Sequence, residues 1–146
     1  MSQYLTISLR KKDKPTLEVS LWWVSTTTAR RMSSEINAFP CTQEDKLLDS
    51  ETFFGYLNSI KQYVNEQKEI RKSHESELEM LIPKLPSATS KEVYEALKED
   101  IFDLKSTIEN FDECIRLYSK IFEELKLVWN IYVDNDEEWD IYYSNC

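Results

Sequence analysis

Between residues 94 and 129 the apolar side chains Tyr94, Leu97, Ile101, Leu104, Ile108, Phe111, Ile115, Tyr118, Phe122, Leu125 and Trp129 follow one another at alternating steps of three and four. A repeat of that kind gathers one stripe on one face of a continuous helix and asks for a second helix to cover it. A candidate precedes it: Phe53, Leu57, Ile60, Val64, Gln67, Arg71, His74, Leu78 and Leu81 keep the same spacing until Pro83. Pro83 and Pro86 bracket the break, and Thr89 with Glu92 has the spacing of a capping box. The expectation is an antiparallel, coiled-coil-like hairpin of two helices over 50–82 and 90–131, roughly 50 to 60 Å long at 1.5 Å per residue.

The flanks read differently. Leu5, Ile7 and Leu9 alternate with polar neighbours, and after the charged stretch Arg10 to Pro15 the alternation resumes with Leu17, Val19, Leu21 and Trp23. This predicts a β-hairpin within 1–25. Ala29, Met32, Ile36 and Phe39 recur at helical spacing behind Thr26, Thr27 and Thr28 and stop at Pro40, which predicts a short helix over 27–39. Trp139, Ile141 and Tyr143 alternate again, so a strand over 138–144 is expected to pair with the hairpin and complete a three-stranded sheet. The fold class is α+β, mostly helical: a long helical hairpin with a small antiparallel β-sheet at its base, in a single domain over 1–146.

Composition removes several classes of function. Gly55 is the only glycine, so neither a glycine-rich phosphate loop nor a dinucleotide fingerprint can be built. Cys41, Cys114 and Cys146 form no Cys-x-x-Cys pair and predict neither a zinc site nor a disulfide framework. The segment Met1 to Leu9 lacks the basic and apolar regions of a signal peptide, and no apolar run approaches a membrane span. A cytoplasmic, membrane-free setting is expected. The formal charge of −9 is uneven: residues 1–31 hold six basic and two acidic side chains, and the remainder holds 12 basic and 25 acidic ones. A body of that sign repels phosphate backbones, so direct nucleic-acid binding is not expected.

Candidate chemistry fails residue by residue. His74 is the only histidine, and its helical neighbours Ile70, Arg71 and Leu78 form no relay. Glu92-x-x-Glu95 followed by Glu109-x-x-Asp112 resembles the carboxylate spacing of the all-helical nucleotide pyrophosphohydrolases. Here, however, both pairs lie on one helix, some 25 Å apart at 1.5 Å per residue. The acids Asp134, Asp136, Glu137, Glu138 and Asp140 begin like a calcium loop, but Trp139 stands where glycine is needed and Asn145 where glutamate is needed. Arg10, Lys11, Lys12 and Lys14 with Arg30 and Arg31 lie near Tyr4, Trp22 and Trp23, a combination that can bind single strands by stacking. No catalytic residue, metal or cofactor is expected.

A turn centred near residue 86 would set Arg71 against Ile101, Gln67 against Leu104, Val64 against Ile108 and Leu57 against Ile115. The lower half of the hairpin then matches, while the upper half opposes polar residues to apolar ones. Either a partner covers the upper half, or a small rotation turns Tyr63 and Ile70 inward. The partner would meet an apolar anchor, Leu97, Ile101, Phe102 and Leu104, within a charged face, Glu95, Glu99, Asp103, Glu109 and Asp112. The expected function is a non-enzymatic acidic protein–protein interaction module. Its size and charge suit an inhibitor, immunity protein or phage anti-defence protein covering a basic, nucleic-acid-binding or similar surface. The alternative is a homo-oligomeric structural component of a virion or scaffold, and a metal-dependent enzyme ranks third.

Overall fold

The computed structural model describes residues 3–14, 18–23, 26–134 and 138–146, and of Trp22 and Trp23 the backbone alone. Its elements are β1 (Leu5–Lys11), β2 (Glu18–Trp23), α1 (Thr26–Ser34), β3 (Lys46–Leu48), α2 (Ser50–Leu81), a single 3-10 turn (Ile82–Lys84), α3 (Lys91–Asp134) and β4 (Trp139–Asn145). The protein is mostly helical α+β, with two long helices and a four-stranded antiparallel sheet in the order β2-β1-β4-β3. The chain divides into two compact units, Met1–Tyr63 with Lys120–Cys146, and Val64–Ser119. Leu17, Ser25, Asp136 and Glu137 lie outside the described residues.

The sheet belongs to the first unit. β4 pairs with β1 along its whole length, Leu5 opposite Asn145 and Lys11 opposite Trp139, as the alternation in both segments required. Leu5, Ile7, Leu9, Ile141, Tyr143 and Asn145 therefore share one face, and all are buried. The sheet has one strand more than expected. β3 leaves no strand signal in the sequence because Leu47 and Leu48 are the only apolar pair there and three residues are too few to show alternation.

α1 is also shorter than the pattern suggested, ending at Ser34 rather than residue 39. The Arg31 carbonyl accepts from both Glu35 and Ile36, and Asn37 then turns left-handed with φ 60°. Ile36 and Phe39 are buried as helical spacing implied, but from a turn. Phe39 also has positive φ, 52°, a costly conformation for a bulky residue. Its ring packs against Tyr56 (4.8 Å), Tyr143 (5.5 Å) and Phe53 (6.1 Å), which offsets that cost.

Asn145 ties these parts together. Fully buried, it donates from Nδ2 to the carbonyls of Ala29 (3.0 Å) and Phe39 (2.9 Å), and its Oδ1 accepts from Gln3 Nε2 (2.7 Å). The Tyr143 hydroxyl donates to the Pro40 carbonyl, and burial pushes this phenol and that of Tyr56 above their ordinary pKa. In α2 and α3, Phe53 stacks on Trp129 with centroids 5.9 Å apart.

Side-chain caps set the starts of both long helices. Asp49 Oδ1 accepts from Thr52 N–H at 2.7 Å and caps α2. This bond holds the Asp49 carboxyl below its ordinary pKa. For α3 the cap is Ser90 rather than Thr89, because Val93 N–H donates to Ser90 Oγ. At its far end α3 continues through Val128 to Asp134, three residues beyond the expected boundary at residue 131.

Candidate docking face

The second unit consists of the distal parts of α2 and α3 with their connection. Both heptad stripes face inward here: Val64, Ile101, Ile108 and Tyr118 are buried, and Gln67, Arg71, His74, Leu78, Leu97, Leu104, Phe111 and Ile115 are half-buried. Ile70 stays exposed, so the polar half of α2 has not rotated away.

The register is what differs from expectation. Arg71 pairs with Asp112 and with Glu75 (2.8 Å), and the His74 ring lies 5.5 Å from that of Phe111. Arg71 is thus opposite residue 112, not 101. Carried up the helices, the same offset sets Ile101 level with the Ile82–Lys84 turn. The connection therefore continues α2 upward before the chain reverses, and the turn is not centred at residue 86. Polar residues can occupy the stripe because they meet partners suited to them. The hydrogen bond from Arg71 to Asp112, reinforced by Glu75, raises the guanidinium pKa further.

This corrects the expected anchor and face. Ile101 is only 8% exposed and belongs to the core of its own unit, and Leu97 and Leu104 are half-buried on the same stripe. Phe102 is 68% exposed. Asp112 is taken up by Arg71. What remains is a row on the opposite side of α3, again at steps of three and four: Glu92, Glu95, Glu99, Phe102, Ser106, Glu109 and Glu113. Asp103 flanks it one turn from Glu99, and Asp100 lies beyond. Glu92 and Glu113 were missing from the expected face, although continuing its spacing in both directions would have found them.

Among the described residues, none of the carboxylates of Glu92, Glu95, Glu99, Asp100, Asp103, Glu109 and Glu113 sits in an ion pair. Glu95 and Glu99, Glu99 and Asp103, and Glu109 and Glu113 are like charges one turn apart, each pair costing the helix roughly 0.2–0.5 kcal/mol. Lys91, Lys98 and Lys105 run seven residues apart along one flank and temper this repulsion without lying in the acidic row.

Several charges of the first unit are paired instead. Arg10 is bound by Glu18 and Asp45 and stands 4.3 Å over the Tyr142 ring, and these carboxylates, Asp45 first, raise its pKa. Lys11 meets Glu138 (3.9 Å), Lys12 meets Asp140 (3.8 Å), and Arg31 meets Glu35 (3.3 Å). Two of these pairs, Lys11 with Glu138 and Lys12 with Asp140, join the basic region to the acidic tail. His74 has Glu77 4.0 Å from its Nδ1. Among the described residues no group of His, Cys, Asp or Glu could hold a metal ion, and no helix is long and apolar enough to cross a membrane.

Comparisons with protein-family models, curated proteins and solved structures return no match to this chain.

Proposed function

We propose that the protein is a non-enzymatic interaction module that uses the outward row of α3, Glu92 to Glu113 around Phe102, to cover a basic surface of another protein, as an inhibitor or immunity-type antagonist would. The observation that carries this is the combination of unpaired carboxylates with an exposed aromatic ring at their centre. Apart from Glu92, which lies in the favourable first turn of α3, those carboxylates gain no ion pair among the described residues and stand beside like charges, which leaves them available to a basic partner. Phe102 supplies the kind of anchor on which interface energy concentrates, and the surrounding charge supplies steering and orientation.

The test compares proteins retained from source-cell extract by the immobilised chain and by the variant Glu95→Lys/Glu99→Lys/Phe102→Ala, at low and high salt. A basic protein held by the wild type, released by salt and ignored by the variant is expected. Identical retention by both would refute the assignment.

A second reading, self-association, is favoured by a different observation. Leu127 and Ile131 lie one turn apart on α3 in the first unit and are both exposed. Light scattering of wild type and Leu127→Glu separates the two: a salt-resistant oligomer abolished by this substitution would establish self-association.

A further inference from the structure

Two of the three thiols that the sequence leaves without a partner are brought together by the end of the sheet. β3 pairs antiparallel with β4, Leu48 opposite Ile141 and Lys46 opposite Tyr143, and the segment from Pro40 leads into it through a bend at residues 43 and 44. At its start Thr42 N–H donates to the Asn145 carbonyl at 3.0 Å. Two further bonds fix this stretch: Tyr143 Oη donates to the Pro40 carbonyl and Asn145 Nδ2 to the Phe39 carbonyl. On its other side Cys146 exchanges both backbone hydrogen bonds with Tyr4, at 2.7 and 3.1 Å. Cys41 and Cys146 are therefore the two residues that flank the single hydrogen bond between Thr42 and Asn145, one on each segment. Residues so placed across a bond between antiparallel segments come within the span a disulfide bridges, roughly 4.4–6.8 Å between Cα atoms. Both residues are exposed, whereas Cys114 lies on α3 in the other unit and is only half-exposed.

We propose that Cys41 and Cys146 are a thiol–disulfide modification site, closed by a low-molecular-weight disulfide such as oxidised glutathione. One cysteine thiolate attacks a sulfur of oxidised glutathione, forming a mixed disulfide and releasing one glutathione thiolate. The other cysteine thiolate then attacks the protein sulfur of that mixed disulfide, forming the Cys41–Cys146 bond and releasing the second glutathione. The protein gives up two electrons and two protons, and one glutathione disulfide becomes two glutathione thiols. The bond fastens the end of β4 to the segment that leads into β3 and closes residues 41–146 into a loop.

The experiment treats the full chain with oxidised glutathione under native conditions and follows intact mass, free thiols and non-reduced tryptic peptides. Expected are a mass lower by about 2 Da, a fall from three free thiols to one, and peptide 32–46 joined to peptide 127–146. A higher melting temperature that dithiothreitol reverses should accompany them. Cys41→Ser and Cys146→Ser should each abolish the linked peptide, and Cys114→Ser should leave it intact. The same treatment in urea should lower its yield several-fold, because the pairing depends on the fold. Stable glutathione adducts on both cysteines without a link, a link through peptide 106–116, or an equal yield in urea would overturn the proposal.

Discussion

Replacing Asn145 tests whether the first unit is held together at the point where its strand, helix and turn converge. In Asn145→Ala the carbonyls of Ala29 and Phe39 lose a donor and Gln3 loses an acceptor, three bonds of 2.7 to 3.0 Å of which the first two are buried. At about 1 kcal/mol net per bond the loss is about 3 kcal/mol. Asn145→Asp preserves the shape but sets an oxygen, rather than an N–H donor, against those two carbonyls, so it should cost more, about 4 kcal/mol or above. Urea unfolding followed by tryptophan fluorescence is well suited, because Trp22, Trp23, Trp129 and Trp139 all fall in this unit. With a slope of about 2 kcal/mol per M, the Ala variant should unfold roughly 1.5 M earlier. A loss below about 1 kcal/mol, or an Asp variant as stable as the Ala variant, would refute the reasoning.

Three further outcomes follow from single sites. Gly55 sits in α2 with ordinary helical backbone and nothing within 4 Å of an added Cβ, so Gly55→Ala should stabilise the protein by about 0.5–1 kcal/mol in thermal unfolding. The folded-state pKa of Asp49 is depressed by the Thr52 N–H. Its stabilisation is therefore fully present above the unfolded-state pKa of about 4 and is lost as pH falls through the lower folded value. Asp49→Asn keeps the cap but should flatten that acid-side decline in a pH series of melting curves. Ile101→Ala should destabilise the second unit by about 3 kcal/mol by circular dichroism, whereas Phe102→Ala should stay within about 0.5 kcal/mol of wild type. Equal losses at the two neighbours would contradict the division between core and docking face.

The heptad runs made the helical hairpin legible, and strict alternation gave β1, β2 and β4, because periods of three to four and of two leave a clear trace in apolar residues. β3 left no trace because it is held by its neighbour rather than by its own pattern. The early end of α1 depends on left-handed Asn37 and Phe39, and Phe39 is not a residue that advertises such a turn. The inward stripes on α2 and α3 follow the spacing from Phe53 and from Leu97 onward, but Tyr94 is exposed and the mutual register differs from expectation. Spacing says which face points inward, whereas register depends on how the connection runs, and here that was decided by a 3-10 turn that prolongs α2. The exposed acidic row of α3 was half legible for the same reason. Glu95, Glu99, Phe102, Asp103 and Glu109 remain on it, while Ile101 and Asp112 moved into contacts that only the true register creates.

The most direct measurement places a photo-crosslinking benzoylphenylalanine at position 102 and, as a control, at position 70, an exposed site on α2, in cells of the protein's own source. If α3 docks on a basic protein, position 102 should yield one dominant adduct to such a protein, weakened by salt, and position 70 should not. An adduct formed equally from position 70, or from position 102 only to copies of this chain, would contradict the assignment of the face.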